Sequence, residues 1–342
     1  TIHCIMIILF KFIVFYNIIY IYNNMNLNNI IFIIILLILL FIMLIQKKNF
    51  DKKKETFDDN KIPIYVSVTT IFQNQNMLLN TLQSIASQTQ LPDKVFIYLS
   101  EEKYLLDKGF TEKKITNKNL LHFLSNNKKL FHIKWVKNEG PYRKLLPLLK
   151  EKWNEDCIII TIDDDITYHN EFISNLVNDY NKHKCVINYR GFTPKINDIS
   201  EFNYKKRHYN NYWCSWTEEM PCDPNNKYSK YIFNFSTNGA GTLFKPEFFH
   251  KTKELVFNKN IYLDICKTND DIWFYITRFK NNIDCYIDNS KNNLFTMQNE
   301  NLRHTDGNNK GGLWNTYNNN ETEIFHKTLK EVNKFLYKYK KI

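Results

Sequence analysis

Three consecutive carboxylates, Asp163, Asp164 and Asp165, directly follow the apolar run Ile158–Ile162. Such a run is typical of a buried parallel strand, and open α/β sheets bind ligands at the carboxyl ends of their strands. Carboxylates this close repel one another, so their joint ionisation is favoured by a cation. Oxygen ligands suit Mg²⁺ or Mn²⁺, with substrate phosphates completing the shell. The motif therefore predicts a divalent-metal site; the alternative is a solvated acidic turn that caps the next helix.

The segments around this motif alternate between strand and helix patterns. Strands are predicted at 64–70, 94–99, 131–136, 156–162 and 185–188. Helices are predicted at 75–87, 141–152, 171–181 and 321–339. The alternation predicts an α/β fold with a mostly parallel central sheet and helices on both faces. A hydrophobic fraction of 44%, with only 8 Gly and 8 Pro, excludes a wholly disordered or collagen-like chain.

A strongly apolar segment precedes this domain. Residues 27–45 contain no charge and reach about the 20 residues that a helix needs to cross a bilayer. No basic stretch or cleavage site typical of a signal peptide accompanies them, so we predict an uncleaved transmembrane anchor at 27–45. Residues 46–62 are charged and are interpreted as a linker, and residues 63–342 as the catalytic domain.

The orientation of the anchor is predicted from the charges beside it. The lysines after residue 45 place the domain in the cytosol by the positive-inside rule. The glycosylation patterns that begin at Asn234 and Asn320 would instead suit a lumenal domain. Residues 1–24 are interpreted either as untranslated sequence before Met25, which leaves a single span, or as a second hydrophobic segment that forms a hairpin of two spans.

The cysteines and the general composition add two expectations. Seven scattered cysteines without a close pair predict reduced thiols rather than a zinc site or a disulfide framework. The bias towards Ile, Asn and Lys is typical of an AT-rich genome, for which we expect a viral or protist source.

An ordered set of motifs resembles the glycosyltransferase family 2-like group, which has the GT-A fold. The matching pieces include GPYRKLLPLL at 140–149, IIITIDDDITY at 158–168, NGAGTLF at 238–244 and NDDIWF at 269–274, within a match spanning about 63–290. The resemblance implies a metal-dependent enzyme that moves a sugar, with inversion, from a nucleotide-sugar donor to a hydroxyl acceptor. The acceptor would be a glycan, a protein or a lipid.

The resemblance also implies roles for single residues on the donor side. The ligands of Mn²⁺ or Mg²⁺ would be Asp163 and Asp165, with His304 as a further candidate. The nucleotide-sugar would be bound by Thr69, Thr70, Lys144, Asp163 and Asp164. For Lys144, the alternative is a solvated helix lysine.

On the acceptor side, the acidic pair Asp270 and Asp271 resembles the pair that supplies the catalytic base, and we favour Asp271. A carboxylate is required because the attacking hydroxyl group holds its proton tightly at neutral pH. The alternative is that Asp270 caps the helix that follows. The loop containing Asn238, Gly239 and Gly241 would lie near the sugars, or would be a plain turn into a strand.

Two further functions fit parts of the sequence. Asp163 to Thr167 also satisfies the DxDxT pattern of haloacid dehalogenase-type phosphatases, with Asp163 as nucleophile and Asp165 as general acid. That motif normally lies on the first strand, whereas here a βαβ unit precedes it. The net charge of +11 suggests a membrane-tethered basic binding protein. The lysines are dispersed and no nucleic-acid motif occurs, so no nucleic-acid partner is expected.

Overall fold

The structure is a computed structural model of the chain. It describes residues 62–194, 196–203, 207–208, 228–298 and 320–339, together with Ile38 and Phe41. The chain divides into two compact units, Thr1–Lys61 and Ile62–Ile342. Apart from Ile38 and Phe41, the predicted anchor lies outside the described residues. Among the helices that the structure describes, none has both the length and the apolar character needed to cross a membrane.

The second unit alternates strands and helices along the chain. Its strands are β1 (Ile64–Thr69), β2 (Lys94–Leu99), β3 (Phe131–Trp135), β4 (Ile158–Ile162), β5 (Ile166–Tyr168), β6 (Val186–Asn188), β7 (Gly191–Pro194), β8 (Arg207–His208), β9 (Tyr228–Tyr231), β10 (Phe235–Ser236), β11 (Thr242–Phe244), β12 (Cys285–Asp288) and β13 (Phe295–Met297). Its helices are α1 (Gln75–Ala86), α2 (Lys118–Asn126), α3 (Leu146–Glu151), α4 (Phe172–His183), α5 (Lys253–Val256), α6 (Lys259–Ile265), α7 (Asp270–Lys280) and α8 (Glu321–Tyr339).

The central sheet has eight strands in the order β3-β2-β1-β4-β11-β6-β12-β9. The pairs β2–β3, β1–β2, β1–β4 and β6–β12 are parallel. Strand β11 runs antiparallel to both β4 and β6, and β9 runs antiparallel to β12. The predicted α/β fold with a mostly parallel central sheet is confirmed. Every residue of β4 is buried, as expected for a strand covered on both faces.

Two small sheets flank the central one. In one of them β5 pairs antiparallel with β13, so Ile166, next to Asp165, lies opposite Met297. The other has the order β10-β7-β8. The β5–β13 pairing matters for the acidic motif, because it brings the end of β13 beside the turn that carries the three aspartates.

The helix predicted at 141–152 is in fact two segments. A 3₁₀ helix covers Gly140–Lys144, and α3 begins at Leu146. Pro147 lies in the first turn of α3, where its missing N–H is tolerated; farther inside a continuous helix it would remove a backbone hydrogen bond. The break therefore falls just before this proline, and it leaves Lys144 at the end of the 3₁₀ segment.

The buried core bears on the expectations about thiols and glycosylation. The four cysteines that the structure describes are buried and unpaired, namely Cys157, Cys185, Cys266 and Cys285. Asn234 is fully buried, and its amide donates hydrogen bonds to the backbone oxygens of Cys285 at 2.7 Å and Ser229 at 2.9 Å. A glycan cannot be attached there in the folded protein, whereas Asn320 is exposed.

We expect Ile160→Ala to lower the free energy of unfolding by about 2–5 kcal/mol, because it leaves a cavity at a fully buried position in β4. Leu121→Ala removes an equivalent side chain from a position that is 44% exposed and should change stability by less than about 0.5 kcal/mol. Urea unfolding followed by circular dichroism measures both. Equal losses for the two variants would contradict the placement of β4 at the centre of the sheet.

Candidate active site

The three aspartates form the turn between β4 and β5. The backbone N–H of Asp163 donates to the hydroxyl oxygen of Tyr168 at 3.1 Å. The Thr81 hydroxyl group on α1 lies 2.9 Å from the carbonyl oxygen of Asp164 and 2.7 Å from that of Ile166. The turn is therefore fixed through its backbone as well as through the side-chain contacts of Asp163 and Asp164. The sequence motif gave no sign of Thr81 as a support.

Asp164 is held by side chains that follow β1. Its Oδ2 accepts hydrogen bonds from the hydroxyl group of Thr70 and, at 3.1 Å, from the amide of Asn74. Burial raises the pKa of Asp164 to about 7, helped by repulsion from Asp165 and opposed by the hydrogen bond from Thr70. The structure thus brings Thr70 to the acidic turn. Thr69 instead donates to the carbonyl oxygen of Tyr98 in β2 at 2.8 Å.

Lys144 is buried against the acidic turn. Its ammonium group donates to Oδ1 of Asp163 and lies 3.9 Å from Oδ2 of Asp270. Burial alone would lower the pKa of this lysine, but the carboxylates around it outweigh burial and raise the pKa. Lys144 is only 7% exposed, so the alternative of a solvated helix lysine is wrong. Burial also raises the pKa of Asp163 to about 6, although Lys144 opposes that rise.

The second acidic pair lies in the first turn of α7. The cap of this helix is Asn269, whose Oδ1 accepts from the N–H of Ile272 at 3.1 Å, so the alternative of capping by Asp270 is wrong. Asp271 accepts from the backbone N–H of Asn238 through its Oδ1 at 2.9 Å. Burial and repulsion from Asp270 raise the pKa of Asp271 to about 7.

The loop from Asn238 to Gly241 connects the two acidic groups. A Cβ atom on Gly239 would lie 2.9 Å from Oδ2 of Asp163 and 3.3 Å from Nη1 of Arg190. Gly241 has a φ of +92°, and a Cβ atom there would lie 2.5 Å from the ring of Phe172. The loop is therefore a turn into β11, and it also packs its backbone directly against Asp163.

Asp165 is supported from the end of β13. The backbone N–H of Gln298 donates to the carbonyl oxygen of Asp165 at 2.8 Å. The Gln298 amide group donates to the Met77 carbonyl oxygen and to Thr81, both at 2.9 Å. Residue 298 is the last described before position 320, so His304 lies outside the described residues and its predicted metal contact stays a prediction.

A buried ion pair organises the loops on the other side of the turn. Arg143, next to Lys144, contacts Asp107 at 2.9 Å, and both side chains are only 2% exposed. Asp107 also accepts from the backbone N–H groups of Phe72 at 3.1 Å and Gly109 at 3.0 Å. This pair ties the loops after β1 and β2 to the 3₁₀ segment that carries Lys144. Sequence reasoning missed it, because the partners are far apart in the chain.

The donor set fits a divalent ion that a substrate helps to bind. Within the described residues, no group of three or more ligating side chains converges on one point. Two carboxylates are sufficient when phosphate oxygens supply the remaining ligands. The Lys144 ammonium group already acts as a stand-in cation against Asp163. Oδ2 of Asp270 is buried and accepts no hydrogen bond from the described residues, which leaves it able to receive a positive charge.

Comparisons with known proteins give a limited result. No protein-family model and no curated protein sequence matches the chain. The solved structure of S. aureus TarS 1-349 in complex with UDP-GlcNAc is 13% identical, with a TM-score of 0.39, and covers 66% of this chain and 56% of that chain. GalNAc-T7 with UDP, GalNAc and Mn²⁺ is 11% identical, with a TM-score of 0.42, and covers 68% of this chain and 42% of that chain.

A third solved structure belongs to a different kind of enzyme. The 4-diphosphocytidyl-2C-methyl-D-erythritol synthase from Anaerococcus prevotii DSM 20548 is 10% identical, with a TM-score of 0.40, and covers 66% of this chain and 88% of that chain. The present chain thus spans little more than half of the TarS chain and less than half of GalNAc-T7. Structural similarities this weak do not show what the chain does.

The raised pKa of Asp271 predicts a pH-dependent effect of Asp271→Asn on stability. Between its ordinary value near 4 and about 7, the folded state binds the Asp271 proton more tightly than the unfolded state does. The contribution of Asp271 to stability therefore falls as the pH rises through this window. The amide keeps the acceptor for Asn238 and removes the charge. We expect the gain in melting temperature over wild type to be larger at pH 8 than at pH 5, by at least about 2 °C.

Differential scanning fluorimetry at the two pH values measures this difference. Asp264→Asn, which removes an exposed carboxylate from the neighbouring helix α6, controls for the change in net charge. A gain from Asp271→Asn that is the same at both pH values would contradict the electrostatic environment described for Asp271.

Proposed function

We propose that this chain is a metal-dependent glycosyltransferase that moves a sugar from a nucleotide-sugar donor to a hydroxyl acceptor with inversion. One observation carries the proposal. Asp163 shares Lys144 with Asp270, and Asp271 anchors the loop whose glycine packs against Asp163. A group suited to a metal–diphosphate and a group suited to proton removal therefore belong to one connected cluster.

The donor side of the proposal uses the end of β1 and the acidic turn. Asp163 and Asp165 would hold Mn²⁺ or Mg²⁺, with His304 as a further ligand. The ion would neutralise the charge that develops on the leaving nucleoside diphosphate. Thr69, Thr70 and Asp164 would bind the nucleoside or the sugar. Lys144 would meet the diphosphate, since it is the buried cation nearest to Asp163.

The acceptor side of the proposal uses Asp271 as the base. Its pKa of about 7 suits a group that must take a proton near neutral pH. The hydrogen bond from Asn238 to Oδ1 would orient the carboxylate and leave Oδ2 to receive the proton of the acceptor hydroxyl group. Asp270 would position this pair through its charge. Inversion requires the base to act on the sugar face opposite the leaving group.

The cellular setting is part of the proposal. The apolar segment 27–45 would anchor the enzyme in a membrane as a single span, or with residues 1–24 as two spans. The lysines that follow it support a cytosolic catalytic domain. The acceptor would be a glycan, a protein or a lipid at that membrane.

A thermal-shift screen with UDP, GDP and their sugar derivatives, with and without Mn²⁺, tests the donor side. A ligand at one hundred times its Kd stabilises the native state by about 2.7 kcal/mol. We expect a nucleotide to raise the melting temperature of the wild type in the presence of Mn²⁺. Asp163→Asn and Asp165→Asn should abolish this metal-dependent shift, because an amide is a poorer metal ligand than a carboxylate.

Asp264→Asn is the matched control and should keep the full shift, since this carboxylate is exposed on α6. A nucleotide shift that survives both variants of the acidic turn would contradict the donor site. Hydrolysis of a phosphomonoester, together with a stable phosphoryl group on Asp163, would replace the proposal by the phosphatase alternative.

Asp271→Asn tests the base. We expect kcat for sugar transfer to fall by about 10²–10⁴-fold, the usual contribution of a general base, while KM for the donor stays nearly unchanged. Steady-state kinetics with the donor found in the screen measure both constants. A variant that keeps full activity would show that another group removes the proton.

A further inference from the structure

Lys144 lies between two acidic groups that the proposed reaction uses for different purposes. Its ammonium group contacts Oδ1 of Asp163 and lies 3.9 Å from Oδ2 of Asp270. The lysine side chain is 9% exposed and that of Asp270 is 11% exposed, while that of Asp163 is 28% exposed. Water therefore screens the charge of Asp270 more weakly than that of Asp163. The lysine is therefore a resident cation within the acidic cluster.

Lys144 makes unequal contacts with its two acidic partners. Asp163 receives a direct hydrogen bond from the lysine, while the buried Oδ2 of Asp270 accepts no hydrogen bond from the described residues. Asp270 is 8% exposed, and a buried carboxylate oxygen left in this state is costly unless a cation is near. The lysine thus has a second carboxylate acceptor 3.9 Å away, in Asp270.

The same lysine stands in the way of a free metal ion. A divalent ion that binds Asp163 must displace the ammonium group from Oδ1 or approach a carboxylate whose charge is already compensated. A metal ion that arrives with a diphosphate meets a different situation, because the phosphate oxygens offer the displaced ammonium group a new anionic partner. Lys144 consequently opposes binding of the free metal ion and favours binding of the metal–diphosphate complex.

We propose that Lys144 makes loading of the divalent ion depend on the diphosphate, so that the ion enters the site together with its nucleotide and binds poorly alone. This inference rests on the proposed function for the identity of the diphosphate. Its physical basis is the contact between Lys144 and Asp163 and the unsatisfied Asp270 beside it. Lys144 acts here as a positioning residue that couples the binding of two ligands.

The test is the affinity for Mn²⁺ in the absence of any nucleotide. Electron paramagnetic resonance of free Mn²⁺ measures this affinity directly, with wild type and all variants compared at pH 8. We expect Lys144→Met to bind Mn²⁺ alone about tenfold more tightly than wild type, because a like charge in contact with the ligand is removed.

The effect on the nucleotide has the opposite sign. Lys144→Met should bind UDP or GDP about tenfold more weakly in the presence of Mn²⁺, since a charge-assisted hydrogen bond to the phosphates is lost. The factor by which nucleotide tightens Mn²⁺ binding should fall accordingly. Simple damage to the site would weaken the binding of both Mn²⁺ and the nucleotide. Opposite changes in the two affinities therefore separate the proposed role of Lys144 from a structural one.

Two variants serve as controls. Lys144→Arg keeps the positive charge and should leave the affinity for Mn²⁺ alone close to that of wild type. Lys245→Met removes another buried lysine, which contacts Asp156 at 2.5 Å beyond the opposite end of β4. It should leave the affinity for Mn²⁺ alone unchanged, and circular dichroism spectra and melting temperatures report whether each variant is folded.

The inference is overturned if Lys144→Met binds Mn²⁺ alone no more tightly than wild type, or if Lys245→Met shows the same gain. Failure of the wild type to bind UDP or GDP with Mn²⁺ would overturn the proposed function. The measurement with Mn²⁺ alone does not involve a nucleotide, so the two failures are distinguishable.

Discussion

The contact between Lys144 and Asp163 is the interaction on which the site depends. The turn after β4 carries three carboxylates, and two more begin α7 nearby. Burial raises the pKa of Asp163, Asp164 and Asp271, and so disfavours their charged forms unless a cation compensates them. Within the part of the chain that the structure describes, Lys144 contacts both groups, and its backbone oxygen accepts a hydrogen bond from Ser67 of β1. The central sheet thus holds a positive charge against the acidic cluster.

The strands that carry this arrangement were predictable because their signals are local. Strands β1, β2 and β4 are rich in apolar side chains and are almost entirely buried, as expected for strands of a doubly covered sheet. The pairing of β5 with β13 was not predictable. It joins three-residue strands more than a hundred positions apart, and neither is long enough to show an alternating pattern. Gln298, which supports Asp165 and Thr81, was missed for the same reason.

The sequence singled out most of the residues that the structure gathers around the acidic turn, but it did not show the contacts among them. The residue types identified the two acidic groups, whereas the sequence left Lys144 equally open to a solvated position. Lys144 lies at the end of a 3₁₀ segment in which every residue is buried. Asp270 resembled a helix cap, since Asn and Asp are both favoured there. Asn269 takes that position, and this leaves Asp270 free to face Lys144.

The loop at Asn238 gives the two acidic groups a common mechanical support. Its backbone N–H holds Asp271, and one residue later Gly239 lies against Asp163 with no room for a side chain. The chain contains only 8 glycines, and this loop uses two of them within four residues. If an incoming cation displaced the Asp163 side chain, the loop packed against it would shift, and the carboxylate of Asp271 would shift with the loop. Because the connection runs through a short, tightly packed backbone segment, the proposed donor site and the proposed base would be linked without a large movement of the fold.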